Sequence, residues 1–384
     1  MKILLIGEYS NVHWTLAEGL RELGHEATVV SNGDFWKNYP RDIDVSRPKG
    51  RLGGPLLMLK ILRLLPKMRN FDVVQLINPM FFELKAERLR FFYHFLRKNN
   101  RKIVLGAFGM DYYWVSECVH RKPLRYSDFN IGMELRTDQN AMAERADWLG
   151  TAKETLNRYI AENCDGIVTG LYENDVCYRP HFPEKTQFIP YPIKLRDGKG
   201  SERGVKGNEG GVNRRSLTTG KSNGNERLRL FIGINRSRSE YKGTDIMLRA
   251  AQDIARKYPE KVELKVAESV PFAEYRLMMD DSDVILDQLY SYTPAMNALE
   301  AMSRGLVVVG GGEPENYEIL GENELRPIIN VAPNYESVCH ELEQLVLHPE
   351  RIPELKRQGI EYIRRHHDHL KVAREYEQFY NHIL

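Results

Sequence analysis

Residues 293–312 read TPAMNALEAMSRGLVVVGGG, and this stretch decides the fold. Thr293 can cap a helix that Pro294 opens, Ala298, Leu299, Ala301 and Met302 are good helix formers, and Gly305 stands where a C-terminal stop belongs. The pattern predicts a helix over 294–304. Leu306 to Val309 is a continuous apolar run, as in a parallel strand buried on both faces, and three glycines, Gly310 to Gly312, end it. A helix feeding a buried strand is half of a βαβ unit, so the fold class is α/β with parallel sheet. The free N–H groups at the start of such a helix suit an anion such as a phosphate. Glu300 is the one carboxylate on it.

The same grammar opens the chain. Lys2 to Ile6 reads as a strand, His13 to Leu23 as a helix stopped by Gly24, and Ala27 to Val30 as the next strand, a Rossmann-like beginning. Between the first strand and the helix stands Gly7-Glu8-Tyr9-Ser10-Asn11, through which no GxGxxG loop can be drawn, and this argues against NAD or FAD. FDVVQLI at 71–77 and residues 103–107 are further strands, and Asp111 follows the second of them. Ligands of open α/β sheets bind beyond the carboxyl ends of strands, so Asp111 is either a substrate contact or a cap of the next helix. A long helical pattern over 138–163 leads to a strand at 166–169, and QFIPYPI at 187–193 closes this half. Residues 196–227, rich in Gly, Asn, Ser, Arg and Lys, cannot bury a core and read as a flexible spacer.

Strands resume at Leu228. GINRSRSEYKG at 233–243 then places Arg236, Arg238 and Lys242 on a glycine turn, either a diphosphate clamp or an exposed charged loop. Val262 to Val266 and Val284 to Leu286 are strands as well. The triplet Asp281-Ser282-Asp283 precedes the latter, at the wrong end for a ligand crevice, and is read as loop acids and not as a metal site. Residues 370–384 have a helical period and should pack on another element.

Composition narrows the classes. The 384 residues carry a net charge of +2 with 28% charged residues, which excludes a chain built to bind nucleic acid. Four dispersed cysteines, without a CxxC pair, suit a reduced, cytoplasmic protein without a zinc site. MKILLIGEYS turns polar too soon for a signal peptide, and no run is long enough to span a bilayer. One stretch stands out: between Asp44 and Asp72 there is no acidic residue, while Lys60, Arg63 and Lys67 are threaded through leucines. Residues 55–69 are either a core-packing helix with a solvated basic face or an interfacial helix on anionic lipid, which would place the protein on the inner face of the membrane.

With these pieces placed, the chain resembles glycosyltransferases of the GT-B fold, of the family 4 type. NALEAMSRGLVVVGGGEPE resembles that family's "LEAMA.G.PVV" block and GINRSRSEYKGTDIMLRA its "GR…KG" block, with weaker likeness in GHEATVV, FDVVQL and GMD. The resemblance implies two Rossmann-like domains facing across a cleft. Residues 1–195 would form the acceptor side, 228–366 the donor side, and 367–384 a helix crossing back to the first domain. It implies transfer from a nucleotide diphosphate sugar to a glycan or lipid-linked acceptor, metal-independent, without cofactor, with retention, in surface polysaccharide or glycolipid synthesis. Arg236 and Lys242 would hold the diphosphate, Glu300 the ribose hydroxyls, and the helix start near Pro294 would face the phosphates. The family's paired Glu, eight residues before Glu300, is Tyr292 here, so sugar recognition would pass to Tyr292, Asp287 or Glu313. His13 and Asp111 are the candidates for a base. A nucleotide-sugar epimerase of the same fold and an inactive nucleotide-sugar-binding subunit are the alternatives.

Overall fold

The computed structural model describes residues 1–195 and 227–384, so the spacer expected over 196–227 lies, apart from Arg227, outside the described residues. Apolar, β-branched runs form the strands. The first sheet contains β1 (Lys2–Ile6), β2 (Glu26–Ser31), β3 (Ile43–Asp44), β4 (Val73–Leu76), β5 (Lys102–Ala107), β8 (Gly166–Thr169) and β9 (Thr186–Phe188). All are parallel, in the order β3-β2-β1-β4-β5-β8-β9. A two-stranded hairpin, β6 (Asn130–Ile131) with β7 (Glu134–Leu135), stands apart. The helices of this half are α1 (Val12–Glu22), α2 (Gly53–Leu64), α3 (Ala86–Asn99), α4 (Tyr112–His120), α5 (Gln139–Trp148), α6 (Ala152–Asn163) and α7 (Tyr172–Tyr178).

The second sheet, also parallel, runs β11-β10-β12-β13-β14, from β10 (Leu228–Ile234), β11 (Val262–Glu268), β12 (Val284–Leu286), β13 (Val307–Gly310) and β14 (Ile328–Asn330). Its helices are α8 (Ser239–Lys242), α9 (Thr244–Lys257), α10 (Phe272–Asp280), α11 (Met296–Ser303), α12 (Pro314–Leu320), α13 (Tyr335–Leu347), α14 (Ile352–Tyr362) and α15 (His369–Ile383). Each sheet is sandwiched. One face of the first packs on α2, α3 and α6 through Leu57, Leu89, Phe92 and Ile160, and one face of the second packs on α9 and α13 through Met247, Ile254, Leu342 and Leu345. The remaining faces share a core that includes Leu16 and Leu20 of α1 and Tyr376 and Tyr380 of α15.

The terminal helix crosses back to the first half. Ile193 exchanges backbone hydrogen bonds with the crossing segment, its N–H to His367 O (2.6 Å) and its carbonyl from His369 N–H (3.1 Å). α15 then lies so close to α1 that a Cβ on Gly19 would stand 2.6 Å from the His369 carbonyl oxygen and 2.8 Å from Ala373 Cβ.

Two predicted helices change. The pattern over 138–163 divides at Gly150, whose φ of 70° or so (71°) is left-handed, and each piece has its own cap: Asp138 accepts from Ala141 N–H and Thr151 from Lys153 N–H. The helix expected over 294–304 runs Met296–Ser303, capped by Ala295, because the polar groups of Thr293 are engaged elsewhere.

Candidate functional site in the cleft

In both sheets the strand order reverses at one point, between β1 and β4 in the first and between β10 and β12 in the second, and crevices for ligands lie beyond the carboxyl ends of strands at such points. In the second half this places the loops 235–243 and 287–295 at the cleft. The two are tied together: Leu289 N–H donates to Lys242 O (2.9 Å), and Gly243, at φ 70°, packs where a Cβ would meet Leu289 Cβ at 2.6 Å.

Lys242 is half-buried at this junction. Among the described residues its ammonium has neither a hydrogen bond nor an ion pair. Burial pushes its pKa down. The carboxylates of Asp287 and Asp128 oppose that shift, while the charges of Arg238 and of Lys37, the latter from the first half, add to it. Asp287 is joined to Asn297 in the first turn of α11 (Nδ2 to Oδ1, 2.7 Å), and Asn297 accepts from Tyr275 O–H (2.9 Å). Lys37 is aimed by its own half, donating to Asp34 (2.6 Å) and Ser10 (3.1 Å), and its loop touches the facing half through Trp36 and Tyr39 against Phe272. The charges of Arg238 and of Lys37 from the facing half therefore act on Lys242 in one crevice, where the carboxylates of Asp287 and Asp128 offset part of the repulsion.

The residues singled out in the sequence fall into three groups. Lys242 stands in the crevice, and Arg238, exposed on the same loop, lies over the Tyr241 ring (5.2 Å) with its charge acting on Lys242 and Asp128, while Arg236 is 83% exposed and turned to Glu268 at the end of β11 (Nη2 to Oε2, 3.1 Å). Glu300 pairs through Oε1 with Arg304 one turn on (2.8 Å from Nε) and lies 3.8 Å from Arg276, and its charge reaches Tyr39 across the cleft. Pro294 precedes the Ala295 cap and is not itself in the helix.

Tyr292 and Glu313 form a second group, at the seam between the halves. The Tyr292 ring lies between Tyr126 and Tyr172 of the first half, under the Arg125 guanidinium, and its hydroxyl accepts Arg125 N–H at 2.7 Å. Glu313 accepts from Arg125 (2.7 Å) and Tyr126 (2.5 Å). Both side chains are consumed in joining the halves. The same seam holds Glu173, buried in α7, which accepts from Tyr292 N–H (2.7 Å), Thr293 N–H (3.0 Å), Ser291 Oγ and Thr293 Oγ1. This is why Thr293 caps no helix. Arg136 adds to it, donating to the carbonyls of Glu240 (2.9 Å) and Tyr241 (3.0 Å) at the end of α8.

His13 and Asp111 are the third group, and both are engaged by groups of the first half. His13 is fully buried: Nδ1 donates to Gly7 O (2.9 Å), so Nε2 is the bare nitrogen and faces Gln75 Nε2 (3.2 Å), which leaves neither free, and burial pushes the pKa down to about 3. Asp111 caps α4, its Oδ1 accepting Trp114 N–H (2.9 Å) and its Oδ2 accepting Tyr178 O–H (2.7 Å), with burial pushing its pKa up to about 6. Lys37, Asp128, Arg136 and Glu173 escaped sequence reading. Asp128, Arg136 and Glu173 find their partners across the seam, and the Lys37 charge acts on Lys242 from the facing half, so no local spacing marks these roles. The acids of the triplet are held by bases, Asp281 by Arg229 and Lys265 and Asp283 by Arg229 and Lys356, and among the described residues no group of three His, Cys, Asp or Glu side chains converges as a metal site.

No protein-family model matches the chain, and no curated protein does. Solved structures do match over its whole length. Sucrose-phosphate synthase from Thermosynechococcus elongatus covers 100% of this chain and 99% of its own at a TM-score of 0.60 and 11% identity. HepE of Anabaena in complex with UDP-glucose covers 98% of each at 0.56 and 10%, and UDP-GlcNAc 2-epimerase from Neisseria meningitidis bound to UDP-GlcNAc covers 98% of this chain and all but a hundredth (99%) of its own at 0.52 and 12%. Two parallel Rossmann-like sheets joined by a returning terminal helix, matched end to end by these structures, give the chain the GT-B fold of glycosyltransferases.

Proposed function

We propose that the cleft binds a nucleotide diphosphate sugar and that the protein transfers the sugar to a hydroxyl of a glycan or lipid-linked acceptor. The observation that carries this reading is Lys242, half-buried at the strand switch point without an ion-pair partner among the described residues, with the charges of Arg238 and Lys37 acting on it. As the glycosidic bond to the diphosphate breaks, negative charge grows on the phosphate oxygens, and cations already in place stabilise that charge without reorganisation. Arg238 supplies a planar fork and the two lysines mobile point charges. The Asp287–Asn297 pair offers donors and acceptors for sugar hydroxyls beside the phosphates, and Glu300, acceptor-only, suits the ribose hydroxyls.

Retention, hexosyl transfer, metal independence and a place in surface polysaccharide or glycolipid synthesis belong to the same proposal. HepE and the Neisseria epimerase are both described with UDP-sugars bound, which supports a nucleotide-sugar donor. The epimerase also keeps a second reading in view. Release of free nucleoside diphosphate from a UDP-sugar only when an acceptor is supplied favours transfer, and conversion of the sugar without acceptor favours epimerisation.

A thermal-shift screen of UDP, GDP, ADP, dTDP and CMP tests the donor site. At least one diphosphate should raise Tm, and Lys242→Ala should reduce that rise more than it changes the response to the matching nucleoside. No shift with any nucleotide, or an equal shift in wild type and variant, would overturn the reading.

A further inference from the structure

Helix α2 is apolar on two sides, and the fold uses one of them. Leu57 and Ile61, with Leu65 and Met68 just beyond the helix, are buried against the first sheet. Leu52, immediately before the helix, and Leu56, Leu59 and Leu62 are 69%, 48%, 44% and 38% exposed. Intervals of four and three residues line Leu52, Leu56 and Leu59 along one stripe, which Arg63 continues. A helix apolar all round normally has cover on both sides, and contiguous exposed leucines on a soluble surface mark a contact.

The charge around the stripe says what covers it. Arg51, Arg63, Lys67 and Arg69 are exposed beside it, and the chain between Asp44 and Asp72 holds no acid. Lys60 is neutralised by Asp44 (2.6 Å), but among the described residues Arg51, Arg63 and Lys67 make no ion pair. A second copy of the chain docked face to face would set these like charges against each other, which disfavours a symmetric dimer. No helix among the described residues is long and apolar enough to cross a bilayer. We propose that this face seats the protein on an anionic bilayer surface, the leucines entering the boundary between headgroups and acyl chains and the cations meeting the lipid charges.

The position of α2 gives this docking a use. β3 runs parallel to β2 and α2 follows it, so the leucine-bearing start of α2 lies at the carboxyl edge of the first sheet, the edge that also carries the loop after β1 and faces the cleft. A protein seated this way presents the cleft mouth near the surface. The docking itself does not depend on the donor reading.

Flotation of the full chain with vesicles of phosphatidylcholine alone and of phosphatidylcholine with phosphatidylglycerol, at low and high salt, tests the proposal. Wild type should float with the anionic vesicles at low salt, stay behind with the neutral ones, and be released by salt. Leu56→Ser/Leu59→Ser and Arg63→Glu/Lys67→Glu should each lower the bound fraction by about tenfold or more, with thermal unfolding unchanged because all four side chains are exposed. Failure of wild type to float, or full binding by the leucine variant, would overturn it. A dimer in light scattering that the leucine variant dissolves would assign the face to a second copy and overturn it equally.

Discussion

At the scale of single residues, the proposed donor site turns on which arginine of the loop after β10 would reach a diphosphate. Arg236 is satisfied by Glu268, whereas the charge of Arg238 acts on Lys242. We expect Arg238→Ala to weaken nucleoside diphosphate binding by about tenfold, the loss of one charged hydrogen bond, and Arg236→Ala to change it by less than about threefold, both read by titration calorimetry. Glu8 gives a pH-dependent counterpart. Its carboxyl caps α1 by accepting His13 N–H (3.2 Å) and Trp14 N–H (2.9 Å), and burial pushes its pKa from 4.5 up to about 8. The folded chain therefore holds a proton that the unfolded chain releases above the ordinary carboxyl range. This contribution to stability is complete below pH 4.5 and is lost as the pH rises through about 8. Wild type should lose Tm relative to Glu8→Gln across that window, and a pH-independent difference would contradict the assignment. Residue roles were the least legible part of the sequence. A cation beside a glycine turn after a strand, as at Lys242, has a local signature, while the partners that engage Asp111 and His13, Tyr178 and Gln75, are more than sixty residues away in sequence and leave none.

Elements were far more legible, because their signal is local. The strands are continuous apolar runs bounded by Gly or polar turns, and β1, β5, β8, β10 and β12 fall within a residue or two of where those runs place them. The misses have physical causes. Gly150 permits the left-handed turn that splits the 138–163 pattern, and the amphipathic period on both sides hides the break. Open space surrounds Gly150, so Gly150→Ala should cost only the backbone strain, about 1–2 kcal/mol. Gly19 is the reverse case, with an ordinary backbone and no room. Gly19→Ala forces its Cβ onto the His369 carbonyl and should destabilise the docking of α15 by about 1–3 kcal/mol, measured by urea unfolding. Equal stability of Gly19→Ala and wild type would mean that α15 does not lie where it is described.

For the whole molecule, the parallel α/β architecture could be read from the order of the elements and the return of the last helix followed from the family resemblance, but the seam between the halves could be read from neither. Its groups are separated by more than a hundred residues, as Glu173 is from Tyr292 and Thr293, and no periodicity links them. Glu173 holds the loop that leads into α11, so the cleft is shaped from both sides. Glu173→Ala leaves two buried N–H groups without an acceptor and should cost about 2 kcal/mol or more, with faster proteolysis at residues 288–295. Unchanged stability would show that the seam does not carry the loop. The central claim is that a nucleoside diphosphate sits at the switch point of the second sheet. Hydrogen–deuterium exchange with and without the best-binding diphosphate tests it most directly: exchange should slow over 235–243 and 287–299 and in the Lys37 loop, whereas protection confined to other segments would contradict it.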